Sequence, residues 1–375
     1  MDRYLYRHIH GDLKRKMVLL SGPRQVGKTF LATSLMGAFL KPQYLNFDDI
    51  EDARIIRKRN WAHNADLLIL DEIHKMRAWK GFLKGTFDTR PQGQAMLVTG
   101  SARLDTFRQS GESLAGRYFS YHLHPLSVRE LAGKMASVEA LTLLNRLGGF
   151  PEPFLSGSET EAARWRKQYY TDLVREDILE FSRIHEVRSM RLLVELLRRR
   201  VGSPLSYASI AGDLKVAPNT VRNYLEILQS LHIVFAVRPF HANVARAIQK
   251  EPKIYFYDSG YVDGDDGVRL ENTVAVCLRK HVDFLQDTAG EAIRLCYVRT
   301  KERHEVDFAL AGPTALKSLI EVKLSDDTPA AGLRFLQRKL QAPEAVQLVQ
   351  NLRQPQTVNG IQIVAAADWL AELAA

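Results

Sequence analysis

Residues 17–29 read Met17-Val18-Leu19-Leu20-Ser21-Gly22-Pro23-Arg24-Gln25-Val26-Gly27-Lys28-Thr29. An apolar run, a loop bracketed by glycines, and Lys-Thr opening a helical segment give the pattern G-x-x-x-x-G-K-[ST]. Gly22 and Gly27 let the loop Gly22-Pro23-Arg24-Gln25-Val26-Gly27 curl around phosphate, with backbone N–H groups and the helix N-terminus facing the negative charge. Proline has no N–H, so Pro23 only shapes the curve. Lys28 is expected to reach the β and γ phosphates of ATP, and the Thr29 hydroxyl to ligate Mg²⁺.

Working outward, short apolar runs alternate with amphipathic segments through residue 135, the rhythm of a parallel α/β sheet. Strands are expected at Met17–Ser21, Tyr44–Phe47, Leu67–Leu70, Met96–Thr99 and Tyr118–Leu123. Helices are expected at Lys28–Phe39, Ile50–Asn60 and Trp79–Asp88. Leu67-Leu68-Ile69-Leu70-Asp71-Glu72 is a buried strand ending in two carboxylates. Asp71 is expected in the Mg²⁺ shell and Glu72 as the group that polarises the attacking water. An Asp-Glu pair after a strand also serves as a plain helix cap. Leu97-Val98-Thr99-Gly100-Ser101 ends another strand with small polar groups suited to sensing the γ-phosphate, or to an ordinary turn. Arg117, just before the strand at Tyr118, is a cation able to act on a neighbouring subunit's nucleotide.

Beyond residue 135 the pattern changes. Residues 136–200 read as helical, broken at Gly148-Gly149-Phe150-Pro151, and are expected to form a lid. Glu186–Val201 carries Val187, Met190, Val194 and Leu197 on one stripe, ringed by Arg188, Arg191, Arg198, Arg199 and Arg200. Such a helix can track phosphates or present a solvated face. Residues 201–250 read as a winged helix-turn-helix. Val221, Tyr224, Leu225 and Leu228 form its buried stripe, Thr220, Arg222 and Asn223 are left for DNA contact, and Ile233–Pro239 serves as the wing. Winged helices also act as packing modules, so this pattern does not require base reading.

The chain has 375 residues, 46% hydrophobic and 25% charged, which fits a multidomain globular protein. Its formal charge of +9 favours a polyanionic partner or a well-solvated surface. Cys277 and Cys296 show neither metal spacing nor a disulfide framework. With no apolar run near the ~20 residues of a membrane span and no signal-like start, the expected setting is the cytoplasm, away from membranes.

The ordered motifs resemble those of a widespread prokaryotic family of AAA+-type P-loop ATPases with a C-terminal restriction-endonuclease-like domain. The carrying stretches are GPRQVGKT at Gly22–Thr29, LDEIHK at Leu70–Lys75, TGSARL at Thr99–Leu104 and SLAGRY at Ser113–Tyr118. HPLSVREL at His124–Leu131, GGFPEP at Gly148–Pro153 and PKIYFYDSG at Pro252–Gly260 follow. The series closes with LENTVA at Leu270–Ala275, EVDF at Glu305–Phe308 and IEVK at Ile320–Lys323. The resemblance implies nucleotide roles for Lys28, Thr29, Asp71 and Glu72, a sensor role for Ser101, an arginine finger at Arg117, and a ring or spiral homo-oligomer.

Residues 251–375 then carry a second constellation. Residues two apart in a strand share a face, so Glu321 and Lys323 point together. If their strand neighbours that of Asp307, these three converge, and Glu271 on the preceding helix can join them. This resembles the PD-(D/E)xK nuclease site, with carboxylates holding Mg²⁺; an exposed strand face with a salt-bridge pair gives the same pattern. The expected activity is ATP hydrolysis coupled to movement along, or remodelling of, DNA. The alternatives are an ATP-gated nuclease and a nucleotide switch or protein remodeller without nucleic acid.

Overall fold

A computed structural model describes residues 3–100, 114–173, 184–241 and 250–375, with the side chains of 184–186 excepted. By packing the chain divides into two units, Met1–His124 with Asp287–Ala289, and Pro125–Gln286 with Gly290–Ala375. Among the described residues no helix is long and apolar enough to cross a membrane.

In the first unit, strands β1 (Met17–Ser21), β2 (Pro42–Asn46), β3 (Leu67–Asp71), β4 (Ala95–Thr99) and β5 (Tyr118–His122) form one sheet in the order β2-β3-β4-β1-β5. All its pairings are parallel. Every residue of β1, β3 and β4 is buried, whereas the edge strands β2 and β5 are mostly half-buried. The unbroken apolar runs thus take the central places, where both faces are covered, and the polar-flecked runs take the edges. Helices α1 (Tyr6–Leu13), α2 (Lys28–Met36), α3 (Ile50–Lys58) and α4 (Trp79–Asp88) complete this unit among its described residues. Leu45, Ile56, Leu68, Leu70, Trp79 and Val98 are part of one core cluster. The strand ends align: Leu20 with Thr99, Thr99 with Asp71, and Asp71 with Asn46. That register brings one residue from each neighbouring strand to the carboxyl edge of the sheet, where open α/β sheets place their ligands.

The second unit begins with helices α5 (Val128–Leu131), α6 (Ser137–Leu147), α7 (Pro151–Ser156), α8 (Glu159–Leu173) and α9 (Ile184–Arg198). Helices α10 (Tyr207–Leu214) and α11 (Pro218–Ser230) follow, then β6 (Val234–Pro239), β7 (Lys253–Phe256) and the 24-residue helix α12 (Asp266–Ala289). Next come β8 (Arg294–Arg299), β9 (Glu305–Ala311), β10 (Leu316–Lys323), helix α13 (Ala331–Leu340), β11 (Glu344–Val349), β12 (Gln356–Val358), β13 (Ile361–Ala365) and α14 (Ala366–Ala371). The eight strands form a mixed sheet, β12-β13-β11-β10-β9-β8-β6-β7.

The stretch expected as a wing is therefore part of a larger sheet. β6 pairs antiparallel with β7 and parallel with β8. Strand β7 lies at the sheet edge yet is fully buried. Asn272 explains how: its amide accepts from the Phe256 N–H at 2.8 Å and donates to the Phe256 carbonyl at 2.9 Å. Helix α12 thereby satisfies the outward backbone of an edge strand, which would otherwise template pairing with another chain.

Two of the quoted motifs meet in this unit. Arg166, on α8, bonds Asp258 at 2.7 Å and the Leu147 carbonyl. A Cβ at Gly148 would run into the Asp258 carboxylate, and one at Gly260 into the Arg166 guanidinium. The glycines of GGFPEP and YFYDSG leave room for a buried ion pair, and Gly148 also adopts φ +76°.

Candidate nucleotide site and a carboxylate cluster

Gly22–Gly27 joins β1 to α2, and its curvature rests on three positive-φ residues, Gly22 (φ 147°), Gln25 (φ 58°) and Gly27 (φ 99°). A side chain at Gly22 would collide with the Leu123 carbonyl after β5. Gly27 caps α2 without a side-chain bond, so no side chain competes for the first N–H groups of that helix. Arg3, 5% exposed, donates to the Val26 carbonyl and to the His124 carbonyl at 2.6 Å, bracing the loop from behind. Local spacing does not reveal this support, because Arg3 lies 23 positions from Val26.

Lys28 is buried and its Nζ donates to the carbonyls of Gly22 (2.9 Å) and Pro23 (2.7 Å), inside the curve of the loop. The Thr29 hydroxyl donates to Asp71 Oδ2 at 3.0 Å. Asp71 also receives Tyr44 at 2.7 Å and the Thr99 hydroxyl. A compact set of hard oxygens is thus assembled from three strands and the start of a helix. It fits Mg²⁺, which takes one or two protein oxygens and completes its shell with waters and phosphate. Thr29 and Asp71 are the residues that would hold it.

Glu72 follows β3 with φ 55°, an uncommon backbone for a glutamate. Its N–H donates to the Thr99 carbonyl and to Asp71 Oδ1, each at 3.0 Å. Its carboxylate faces His74 at 3.5 Å and Lys75 at 3.8 Å, and Lys75 is held by Asp48 at 2.5 Å. Burial raises the Glu72 pKa above its ordinary value, against the pull of Lys28. Burial raises that of Tyr44 as well, reinforced by its bond to Asp71.

Arg117 stands elsewhere. It precedes Tyr118, which pairs with Met17, so it sits at the amino edge of the sheet, opposite the phosphate loop. It forms a forked pair with Asp88 at 2.8 and 3.0 Å. Ser101 lies outside the described residues.

In the second unit, α11 buries Val221, Tyr224, Leu225 and Leu228 and leaves Arg222 and Asn223 exposed, with Thr220 half-buried. Arg222 lies over the Tyr207 ring at 4.8 Å. Of the arginines of α9 and its end, three are engaged internally: Arg198 with Glu195, Arg199 with Asp263 and Arg200 with Asp213. Arg188 and Arg191 are exposed.

Glu271, Asp307, Glu321 and Lys323 do gather on α12, β9 and β10. Asp307 accepts from the Val322 N–H at 3.0 Å, and Lys323 pairs with Glu321 at 2.7 Å. Burial, helped by Asp307, raises the pKa of both Glu271 and Glu321. A residue the sequence reading passed over stands among them. Lys253 on β7, 1% exposed, lies 2.8 Å from Glu305, 3.4 Å from Asp307 and 3.5 Å from Glu271. Tyr255 donates to the same Glu271 oxygen at 2.6 Å. Burial alone would depress the lysine, yet the carboxylates outweigh it and raise its pKa. Glu271, Glu305 and Asp307 do not fit a divalent metal as arranged, since the Lys253 ammonium already lies among them. Glu321 bonds Lys323 through Oε1, and its Oε2 is buried without a hydrogen-bond partner among the described residues. Among the described residues no group of three or more His, Cys, Asp or Glu is placed to hold a metal ion.

Comparison with known proteins agrees with the first unit's geometry. A family model described as an AAA domain matches residues 14–132, and one described as a domain of unknown function (DUF8612) matches residues 139–263. The uncharacterized protein Rv2008c of Mycobacterium tuberculosis is 30% identical over 311 residues, covering 81% of this chain and 68% of that protein. The uncharacterized protein MJ1637 of Methanocaldococcus jannaschii is 23% identical over 399 residues, covering 88% and 80% respectively. A solved Walker-type ATPase of Pyrococcus abyssi aligns at 15% identity and a TM-score of 0.44, over 70% of this chain and 94% of that one. The chain belongs to the family of the mycobacterial protein, and its residues 14–132 are an AAA-type P-loop ATPase domain.

Proposed function

We propose that this protein is an oligomeric, Mg²⁺-dependent ATPase that couples hydrolysis to movement along, or remodelling of, DNA. The hydrolytic half rests on the site just described: Lys28 for the phosphates, Thr29 and Asp71 for the ion, and buried Glu72 for the water. The ion would neutralise phosphate charge, while Glu72, held by Thr99 and Asp71, would orient water in line with the γ-phosphate. Arg117, at the far edge of the sheet from its own phosphate loop, would serve a neighbouring copy.

One observation carries the nucleic-acid half. A pocket of about 690 Å³ in the second unit is lined by Lys167 and Tyr170 of α8, by Arg191 and Arg198 of α9, and by Tyr261. Lys167 and Arg191 are exposed cations on two helices that share this pocket. Arg198 covers the Tyr261 ring at 4.1 Å, and Tyr170 stacks on that ring with centroids 3.7 Å apart. The Tyr261 ring is thus already engaged by Tyr170 and Arg198, which leaves the two outer cations to engage phosphates rather than bases. Glu195 also lines the pocket and pairs with Arg198, so Lys167 and Arg191 are the cations that fit a phosphate backbone, and the formal charge of +9 agrees.

The test is steady-state ATP hydrolysis with single-stranded, duplex or branched DNA at several salt concentrations. Salt-sensitive stimulation that is lost in a Lys167→Glu/Arg191→Glu variant with normal basal turnover supports the reading. Turnover indifferent to every DNA at low salt would move the assignment to a protein remodeller or nucleotide switch.

A further inference from the structure

The nuclease-like arrangement of the second unit raises the question of what neutralises its carboxylates. Glu271, Glu305 and Asp307 converge on one point, and that point is the Lys253 ammonium, at 3.5, 2.8 and 3.4 Å. The lysine is fixed there rather than resting there. It extends from a strand that is buried along its whole length and bonded at its outer edge by Asn272. Its Nζ also lies 5.6 Å from the centre of the Tyr297 ring. Gly202 lies against Glu271, where an added Cβ would come within 2.8 Å of either carboxylate oxygen, so only glycine fits beside it. Lys323, the residue that would assist a water in a nuclease, is instead paired with Glu321.

We infer that Lys253 is the resident cation of this cluster, so the second unit uses a fixed ammonium where a nuclease uses a divalent metal. The cluster then acts as an electrostatic brace, tying α12 (Glu271) and β9 (Glu305, Asp307) to the edge strand β7 (Lys253, Tyr255). This inference stands independently of the ATPase reading. It draws only on residues between 202 and 323, and it holds whether or not DNA is the partner. Physically, a lysine can neutralise half-buried carboxylates at short range but supplies neither a Lewis acid nor an activated water.

The experiment uses the full chain without nucleotide and Mn²⁺ as the probe, followed by electron paramagnetic resonance titration and thermal unfolding. Wild type and Asp307→Asn are expected to bind Mn²⁺ indistinguishably, because the cluster contributes nothing to metal uptake. Lys253→Met is expected to melt lower than wild type, to gain affinity on the order of ten-fold or more, and to recover its melting temperature with Mn²⁺. That gain should disappear in Lys253→Met/Asp307→Asn. Saturable binding by wild type that Asp307→Asn removes would overturn the inference. So would metal-dependent DNA nicking abolished by Lys323→Ala, or a folded Lys253→Met variant that gains no metal. If Lys253→Met does not fold, the comparison of wild type with Asp307→Asn still decides.

Discussion

Thr29 and Asp71, 42 positions apart, meet at 3.0 Å through the threonine hydroxyl and a single carboxylate oxygen. The same oxygen accepts from Tyr44 at 2.7 Å. Asp71 is therefore aimed by neighbours on both sides. In Tyr44→Phe the nucleotide site should survive with one donor fewer. We expect a loss of about 0.5–1.5 kcal/mol in stability and a raised Mg²⁺ requirement, with kcat at saturating Mg²⁺ nearly unchanged. Denaturant unfolding and a Mg²⁺ titration of turnover check this; a collapse of kcat at saturating Mg²⁺ would mean that the hydroxyl has a direct part in the reaction.

Lys28 donates to the carbonyls of Gly22 and Pro23 inside the curve of the phosphate loop. Exchanging those carbonyls for phosphate oxygens gives it a stronger partner. Lys28→Ala should weaken ATP binding by roughly 10- to 150-fold, the range of a charged hydrogen bond, measured by titration with a fluorescent ATP analogue. Binding within two-fold of wild type would contradict the assignment.

Glu72→Gln should bind ATP normally and hydrolyse it about 10²- to 10⁴-fold more slowly. The pH dependence follows from the same residue. A general base works ionised, and burial raises the Glu72 pKa, so turnover should fall on acidification at a pH above the ~4.3 of a free glutamate. The acid limb of the kcat profile should vanish in Glu72→Gln, and a limb unchanged by that substitution would assign the base elsewhere.

Arg117 is held by Asp88 of its own chain. To serve a neighbouring copy it must exchange that carboxylate for a phosphate, so the two residues compete. Arg117→Ala should slow hydrolysis about 10³-fold or more in assembled protein and leave dilute monomers unaffected, whereas Asp88→Asn should leave assembled turnover intact. Sedimentation paired with activity across a concentration series separates these outcomes; an equal loss in monomers would rule out action in trans.

Arg166→Ala strands Asp258, which is fully buried. Breaking such a pair costs about 3–5 kcal/mol, read by urea unfolding. Arg166→Met with Asp258→Asn should recover much of the loss, and a double variant no better than Arg166→Ala would point to the Leu147 carbonyl bond instead.

The contiguous parts of these sites were legible in the sequence because local spacing dictates them. Gly22–Thr29 names its own loop, and the stripe Val221-Tyr224-Leu225-Leu228 names its own buried face. The partners were not legible. Tyr44 and Thr99 reach Asp71 because β2 and β4 flank β3, a fact of strand order rather than of spacing. The arginines at 198–200 read as a phosphate track or a solvated face; Glu195 on the same helix, and Asp213 and Asp263 from other segments, pair with them. Lys253 carries no signal of its own in the sequence; only folding brings Glu271, Glu305 and Asp307 around it.

The pairing of β6 with both β7 and β8 bears on how this protein can be divided by hand. A cut near residue 250, where motif boundaries invite one, would separate a strand from both of its neighbours. Each piece would carry a bare row of hydrogen-bonding groups and tend to stick to copies of itself. Truncation experiments, and any swapping of modules between relatives, should therefore keep residues 125–375 as a single piece.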